Sequence, residues 1–139
     1  MCYKKFDQPK RFLDAEGHCK DKGGHLARIC SKEERDLVHT LGGEDQFWIG
    51  LWSGSENSCH PDKNSYVWTD GTTGTCFDGW DGYGGQPDCF NAKEGQAAFF
   101  NFKKGSKLWH DTSMLDFRTF VCGIPIMGEY NLNYIEVTT

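Results

Sequence analysis

No stretch of this chain approaches the roughly 18 consecutive apolar residues that span a bilayer. No signal peptide is visible, since Met1-Cys2-Tyr3-Lys4 leads straight into the expected domain, and Met1 is read as an added start on a chain whose targeting segment was removed. A net charge of −5 and a pI near 5.5 argue against nucleic acid, which rewards basic patches. The chain has no Gly-x-Ser-x-Gly elbow, no phosphate-cradling glycine loop and no His-Glu-x-x-His helix. His110-Asp111 near Ser113 has the composition of a triad fragment, yet neighbours in sequence rarely have triad geometry. The reading is a binding protein, not an enzyme. Internal repeats and low-complexity segments are also absent.

The seven cysteines (Cys2, Cys19, Cys30, Cys59, Cys76, Cys89 and Cys122) contain no closely spaced pair, which disfavours a structural zinc site. That leaves disulfides and an oxidising compartment, so the expected location is secreted or on the extracellular face of a cell. The odd count leaves at least one thiol unpaired within the chain. At 139 residues and 37% hydrophobic content, one domain with its own core is expected.

Two helices come first. Phe12, Ala15, Glu16 and Cys19 set a semi-apolar face for a helix over residues 13–22, ended by Gly23-Gly24 as glycine ends helices. Ser31 and Glu34 have capping-box spacing, and Leu37, Val38 and Leu41 supply the expected buried stripe of the second helix. Strands are expected over residues 25–29, 47–52, 97–102 and 117–122, with short ones over 66–68 and before Trp80. Residues 53–91 are rich in Gly, Ser, Asn, Asp and Pro. Loops that long are usually functional or tied down. Helices followed by strands and loops give an α+β arrangement. Residues 1–122 read as the domain and 123–139 as a C-terminal tail. Tyr130, Leu132, Tyr134 and Val137 leave both a tether and an added strand open for that tail.

Gln86, Asp88, Glu94 and Asp111 carry side-chain oxygens that could converge on one hard cation, and calcium takes about six to eight such ligands. Pro87 between two of them adds a device: a cis Gln86–Pro87 bond would let both side chains point the same way.

With Cys2-Tyr3, Ala15-Glu16 and Cys19, Gly24-His25-Leu26-Ala27, Trp48-Ile49-Gly50-Leu51, Trp68-Thr69-Asp70-Gly71, Gln86-Pro87-Asp88, Trp109-His110-Asp111 and Phe120-Val121-Cys122 in order, the chain closely resembles the C-type lectin-like domain. The resemblance implies that fold, with two helices flanking antiparallel sheets and a long irregular loop. It implies a Cys19–Cys122 bridge and, as in the layilin and chondrolectin group, a Cys59–Cys89 bridge across the loop. The family's other common bridge would fall at Gln96 and Met114, neither a cysteine; Cys30 and Cys76 are left as candidates for a substitute. Cys2 matches a cysteine that pairs upstream in longer members, so it is either free or links two chains into a homo-oligomer.

The resemblance further implies a calcium-dependent lectin. Calcium would be held by Gln86, Asp88, Glu94 and the Trp109-His110-Asp111 segment, and vicinal sugar hydroxyls would coordinate the metal while bonding the same side chains. The order Gln-Pro-Asp goes with galactose or N-acetylgalactosamine rather than mannose. Phe90 stands where galactose-type members often carry Trp; it either stacks on the sugar or covers the base of the loop, with Trp80 and Tyr83 as alternative stackers. His110 replaces the usual Asn. Imidazole nitrogen is a poor ligand for calcium, so His110 would weaken the metal site, donate to a sugar hydroxyl, or titrate. An accessory calcium site is not expected, since Cys89 and Gly95 stand where acids would be. The alternative, from another class of binding, is a calcium-independent protein-recognition or adhesion domain, with ice-binding or inhibition as remoter versions.

Overall fold

The computed structural model describes residues 1–90 and 93–126. The chain begins with strand β1 (Cys2–Lys10), then helix α1 (Phe12–Asp21), β2 (His25–Leu26), α2 (Lys32–Gly42) and β3 (Trp48–Trp52). A short 3-10 turn (Lys63–Ser65) and β4 (Val67–Trp68) interrupt the long loop; β5 (Gln96–Phe99), β6 (His110–Ser113) and β7 (Arg118–Ile124) follow.

The strands form one connected sheet in the order β1-β7-β3-β5-β6, with β2 pairing β7 and β4 pairing β3. The α+β expectation holds, but the sheet is mixed rather than antiparallel throughout. Trp48 of β3 and Phe120 of β7 are parallel partners, because the chain passes through the long loop, β5 and β6 before returning alongside β3. β1 has no strong signal in the sequence, since its alternation is broken and Pro9 lies within it. Its pairing with β7 shifts register between Phe6 and Lys10. That irregular stretch accommodates Pro9, which has no N–H to give a ladder. β7 continues two residues past Cys122, pairing Gly123 with Tyr3 and Ile124 with Cys2. The tail alternation from Tyr130 onward lies outside the described residues.

β3 is buried on both faces, which explains its unbroken apolar run. Trp48 joins Phe12, Ala15, Cys19 and Phe120 on the α1 side. Ile49 and Leu51 face Val38, Tyr66, Trp68 and Trp109 on the other. Gly23, at φ +91°, closes α1. At the start of α2 the Glu34 amide donates to Ser31 Oγ at 3.1 Å, while Glu34 Oε1 accepts from the Cys30 amide at 2.9 Å. The reciprocal cap thus reaches one residue upstream of Ser31. The expected α2 stripe is narrower than its pattern: Val38 is buried, whereas Leu37 and Leu41 are 49% and 38% exposed. Gly42 lies directly against the Phe47 ring, so the helix meets the sheet along a thin edge and tilts both leucines outward.

Three bridges staple the frame: Cys19–Cys122, Cys30–Cys76 and Cys59–Cys89. The first joins α1 to β7, the second ties the long loop to the segment ahead of α2, and the third joins the loop's two arms. Cys2 is free and exposed. Gln96 and Met114, where the resemblance would place a further bridge, are both buried. The Met114 amide donates to the Gly95 carbonyl at 3.1 Å, so backbone pairing and a packed thioether hold that junction.

Candidate functional site

The long loop is organised on aromatic side chains. Trp109 meets Trp68 edge-on at 5.6 Å and Trp80 at 6.0 Å, and Tyr66 meets Trp80 at 5.0 Å. Gly79 crosses the face of the Trp109 indole, where any β-carbon would collide with the ring. A parallel bridge between Trp80 and Trp109 then sets the next residues, Asp81 and His110, side by side.

Asp81 winds the following turn around itself. Its carbonyl accepts from the amides of Gly84 (3.1 Å) and Gln86 (3.0 Å), and its Oδ1 from Gly84 at 2.9 Å. Its Oδ2 lies 3.0 Å from His110 Nε2. The Gly84 amide, and after it His110, hold the Asp81 carboxyl below the usual carboxylate range. A lowered carboxyl contributes stability that is present above its unfolded pKa of about 3.9 and lost as pH falls through its folded value. The Gly84 amide should therefore keep its protection from hydrogen exchange at neutral pH and lose it only below about pH 4. Unchanged protection at about pH 2.5 would show that the carboxylate does not hold the turn.

The Gln86–Pro87 bond is cis. Gln86 Nε2 donates to Asp88 Oδ2 at 3.2 Å, and Gln86 Oε1 accepts from the Asp111 amide at 3.0 Å. Asp88 Oδ1 accepts from the Phe90 amide at 3.1 Å. Asp111, paired across β5–β6 with Ala98, is buried. Its carboxylate accepts from Tyr66 Oη at 2.5 Å, the Cys89 amide at 3.0 Å and the Asp88 amide at 3.1 Å. Burial pushes the Asp111 carboxyl up from its ordinary value against those donors, and burial, then Asp111, pushes the Tyr66 phenol up.

All five expected site residues, Gln86, Asp88, Glu94, His110 and Asp111, line one cleft of ≈670 Å³. Two of them are engaged by the protein itself. The Asp111 carboxylate, expected as a metal ligand, accepts from Tyr66 and the two loop amides and so anchors the Asp88–Cys89 segment. His110 was expected beside metal or sugar. Instead its Nε2 is on Asp81 and its ring is stacked on Phe102, 4.1 Å between centroids and 7° apart in plane. Glu94 opens onto the cleft; among the described residues its carboxylate has no recorded hydrogen bond or ion pair. The carboxylates of Asp88, Glu94 and Asp111 are not gathered within 4.8 Å of one another. Among the described residues only Cys59, Cys89 and Asp111 are so close, and both cysteines are in a disulfide. By chemistry, the amide and carboxylate oxygens of Gln86, Asp88 and Glu94 fit calcium; the imidazole does not.

Phe90 is 90% exposed and so does not cover the loop base. Trp80 is buried and unavailable for stacking, while Tyr83 is fully exposed. Tyr66 and Asp81, which position the site, carry no sequence signal of that role. An Asp ahead of glycines hints only at a turn.

The family described as Lectin C-type domain matches residues 8–124. Snaclec 2 of Bitis gabonica is 44% identical over 79 residues, covering 51% of this chain and 48% of that protein. Lactose-binding lectin l-2 of Anguilla japonica is 38% identical over 74 residues, covering 52% and 41%. The chain thus spans about half the length of the curated relatives it first matches. The carbohydrate-recognition domain of the mouse scavenger receptor C-type lectin superposes with a TM-score of 0.67 at 26% identity, covering 89% of this chain and 91% of that one. The chain belongs to the C-type lectin domain family, whose members are non-enzymatic binding proteins.

Proposed function

We propose that this domain is an extracellular lectin that binds galactose-type glycans, with calcium, at the end of the cleft formed by Gln86, Asp88 and Glu94. The observation that carries this reading is that these three oxygen-bearing side chains line one cleft, with Gln86 Nε2 donating to Asp88 Oδ2 at 3.2 Å and Gln86 Oε1, which keeps a second lone pair, accepting from the Asp111 amide at 3.0 Å. Calcium would be held there by the Gln86 amide oxygen and the Asp88 and Glu94 carboxylates, leaving room in a shell of about six to eight for water and sugar hydroxyls. When bound it would supply direct coordination of two vicinal hydroxyls. The protein's part is orientation. Asp111 and Tyr66 hold the backbone of Asp88 and Cys89, Asp81 holds Gln86, and the amide-then-carboxylate order presents donor and acceptor in the galactose sense. Exposed Phe90 offers a ring for the apolar face of the sugar. The disulfide-rich frame suits an oxidising, extracellular setting. Among the described residues no helix is long and apolar enough to cross a membrane. Single sugars bind such sites near millimolar, about −4 kcal/mol, so useful avidity calls for several sites together. Exposed Cys2 is a candidate link between copies.

One observation favours a second reading, calcium-independent recognition of a protein: the Asp111 carboxylate is already satisfied by three donors. Melting with chelator and with calcium, followed by calorimetric titration of galactose and mannose, separates the two. Calcium at about ten times its Kd should stabilise the fold by about 1.4 kcal/mol, and galactose should bind more tightly than mannose. An unchanged melting temperature without sugar binding favours the protein-recognition reading; a preference for mannose overturns the galactose assignment.

A further inference from the structure

Cysteine spacing along the chain disfavours zinc, yet the fold gathers two cysteines and an acid. The Sγ atoms of Cys59 and Cys89 and a carboxylate oxygen of Asp111 lie within 4.8 Å of one another. In sequence the cysteines are 30 positions apart and Asp111 is a further 22 away. Tyr66 Oη sits among them, 3.1 Å from Cys59 Sγ, 3.4 Å from Cys89 Sγ and 2.5 Å from Asp111 Oδ2. While the bridge is closed its sulfurs are bonded to each other. Opened, it offers two thiolates beside a carboxylate. The Cα atoms of Cys59 and Cys89 are 5.8 Å apart. Tetrahedral zinc holds thiolate sulfurs at about 2.3 Å, hence about 3.8 Å from each other, a separation that side-chain rotation reaches on that Cα spacing. A carboxylate has about four acceptor positions, and Tyr66 and the amides of Asp88 and Cys89 fill three on Asp111, which leaves one for a metal. Access differs between bridges: Cys19 and Cys122 are fully buried, whereas Cys59 is only partly so.

We propose that reduction of the Cys59–Cys89 bridge turns this loop staple into a site for a thiophilic divalent cation, zinc by its chemistry, held by both thiolates, the Asp111 carboxylate and one water. Soft thiolates select zinc over calcium, so the site differs in ligand chemistry from the oxygen set of Gln86, Asp88 and Glu94, and it stands whatever ligand the cleft takes. The reductant is a dithiol. One of its thiolates attacks Cys59 Sγ, the S–S bond breaks and the electron pair leaves on Cys89. Its second thiolate then displaces Cys59 and closes a cyclic disulfide, so two electrons pass to the protein and the two protons of the dithiol end on Cys59 and Cys89. Zinc displaces those protons into solvent as it binds. Disulfide and metal clip join the same two points of the chain. The Asp88–Cys89 segment is therefore released only when the bridge is open and metal-free.

The test uses the full chain carrying Cys2→Ser, which removes the exposed free thiol. A phosphine opens the bridges; it takes an oxygen from water while each bridge gains two hydrogens, and it does not chelate as a dithiol would. Alkylation and peptide mapping show which bridges have opened, and cobalt serves as the spectroscopic stand-in for zinc. One equivalent of cobalt should give a thiolate-to-metal charge-transfer band that zinc bleaches. The band should fall by about half in Cys59→Ser, one thiolate being lost, and Asp111→Asn should weaken cobalt binding by about 10-fold or more. The amides of Asp88 and Cys89 should lose protection from hydrogen exchange in the reduced, metal-free protein and regain it with zinc. No cobalt uptake by the opened, folded protein overturns the site. A full band in Cys59→Ser overturns it too, because the metal would then sit on Cys30 and Cys76. So does uptake that begins only after the native circular dichroism is lost, or a Cys59–Cys89 bridge still closed when Cys19–Cys122 has opened.

Discussion

Asp111→Ala should unfold about 10 °C lower than the wild type, a loss of about 3 kcal/mol, with or without calcium. The carboxylate accepts three hydrogen bonds, from Tyr66 Oη and the amides of Asp88 and Cys89. Its removal leaves the Tyr66 hydroxyl and the Cys89 amide, both in buried contacts, and the partly buried Asp88 amide without that acceptor, a buried one costing about 1–3 kcal/mol. Relief of the desolvated charge offsets part of that sum. Tyr66→Phe, which deletes one donor to a charged acceptor, should cost about 1.5 kcal/mol. The two substitutions should be strongly non-additive, because the Tyr66 contribution has no partner once Asp111 is gone. Glu94→Gln is the contrasting variant. It should change stability without calcium by less than about 0.5 kcal/mol yet remove the calcium-dependent gain. Should Asp111→Ala melt within 2 °C of wild type in chelator (below about 1 kcal/mol), the carboxylate would not be the anchor of the loop.

The second large effect is expected from the bridge between α1 and β7. Replacing both Cys19 and Cys122 with Ala should cost about 4–5 kcal/mol, the chain-entropy value for a loop near 100 residues; the separation here is 103. Both residues are fully buried beside Phe12, Trp48 and Phe120, so the alanines also leave a small void. Denaturant unfolding should show a shifted midpoint with a larger m-value, because the unbridged chain expands further on unfolding. By contrast, loss of Cys59–Cys89, which spans 30 residues within the loop, should leave the sheet intact and weaken ligand binding. A double alanine variant at 19 and 122 with an unmoved midpoint would refute the assignment of most cross-link stability to this pair.

The framework was legible in the sequence wherever the signal is local. The Ser31–Glu34 spacing marked the start of α2, Gly23 the end of α1, and the unbroken apolar run of β3 its burial on both faces. The spacing anticipated that Gln86, Asp88, Glu94, His110 and Asp111 would come together, and they do share a cleft. Their division of labour was not legible. Leu37 and Leu41 illustrate why: helical period assigns a face but cannot say how closely a neighbour approaches, and contact between Gly42 and Phe47 narrowed it. β1 escaped notice because its ladder is broken around Pro9, and a strand held by long-range pairing leaves little trace in its own residues.

What the sequence determined by itself is the inventory: oxygen-bearing side chains in order from Gln86 to Asp111, seven cysteines, a net negative charge, and an ordered series of motifs that resembles the family. What only the tertiary structure decided is which polar group satisfies which. Asp111 meets Tyr66 across 45 residues and Gln86 across 25, and His110 is claimed by Asp81 and Phe102 before any ligand arrives. The physical reason is that a buried carboxylate must take its partners from whatever donors the fold brings within about 3 Å. Sequence spacing does not encode those distances; they are set by how Gly79 and the Trp80–Trp109 bridge place the long loop beside β6.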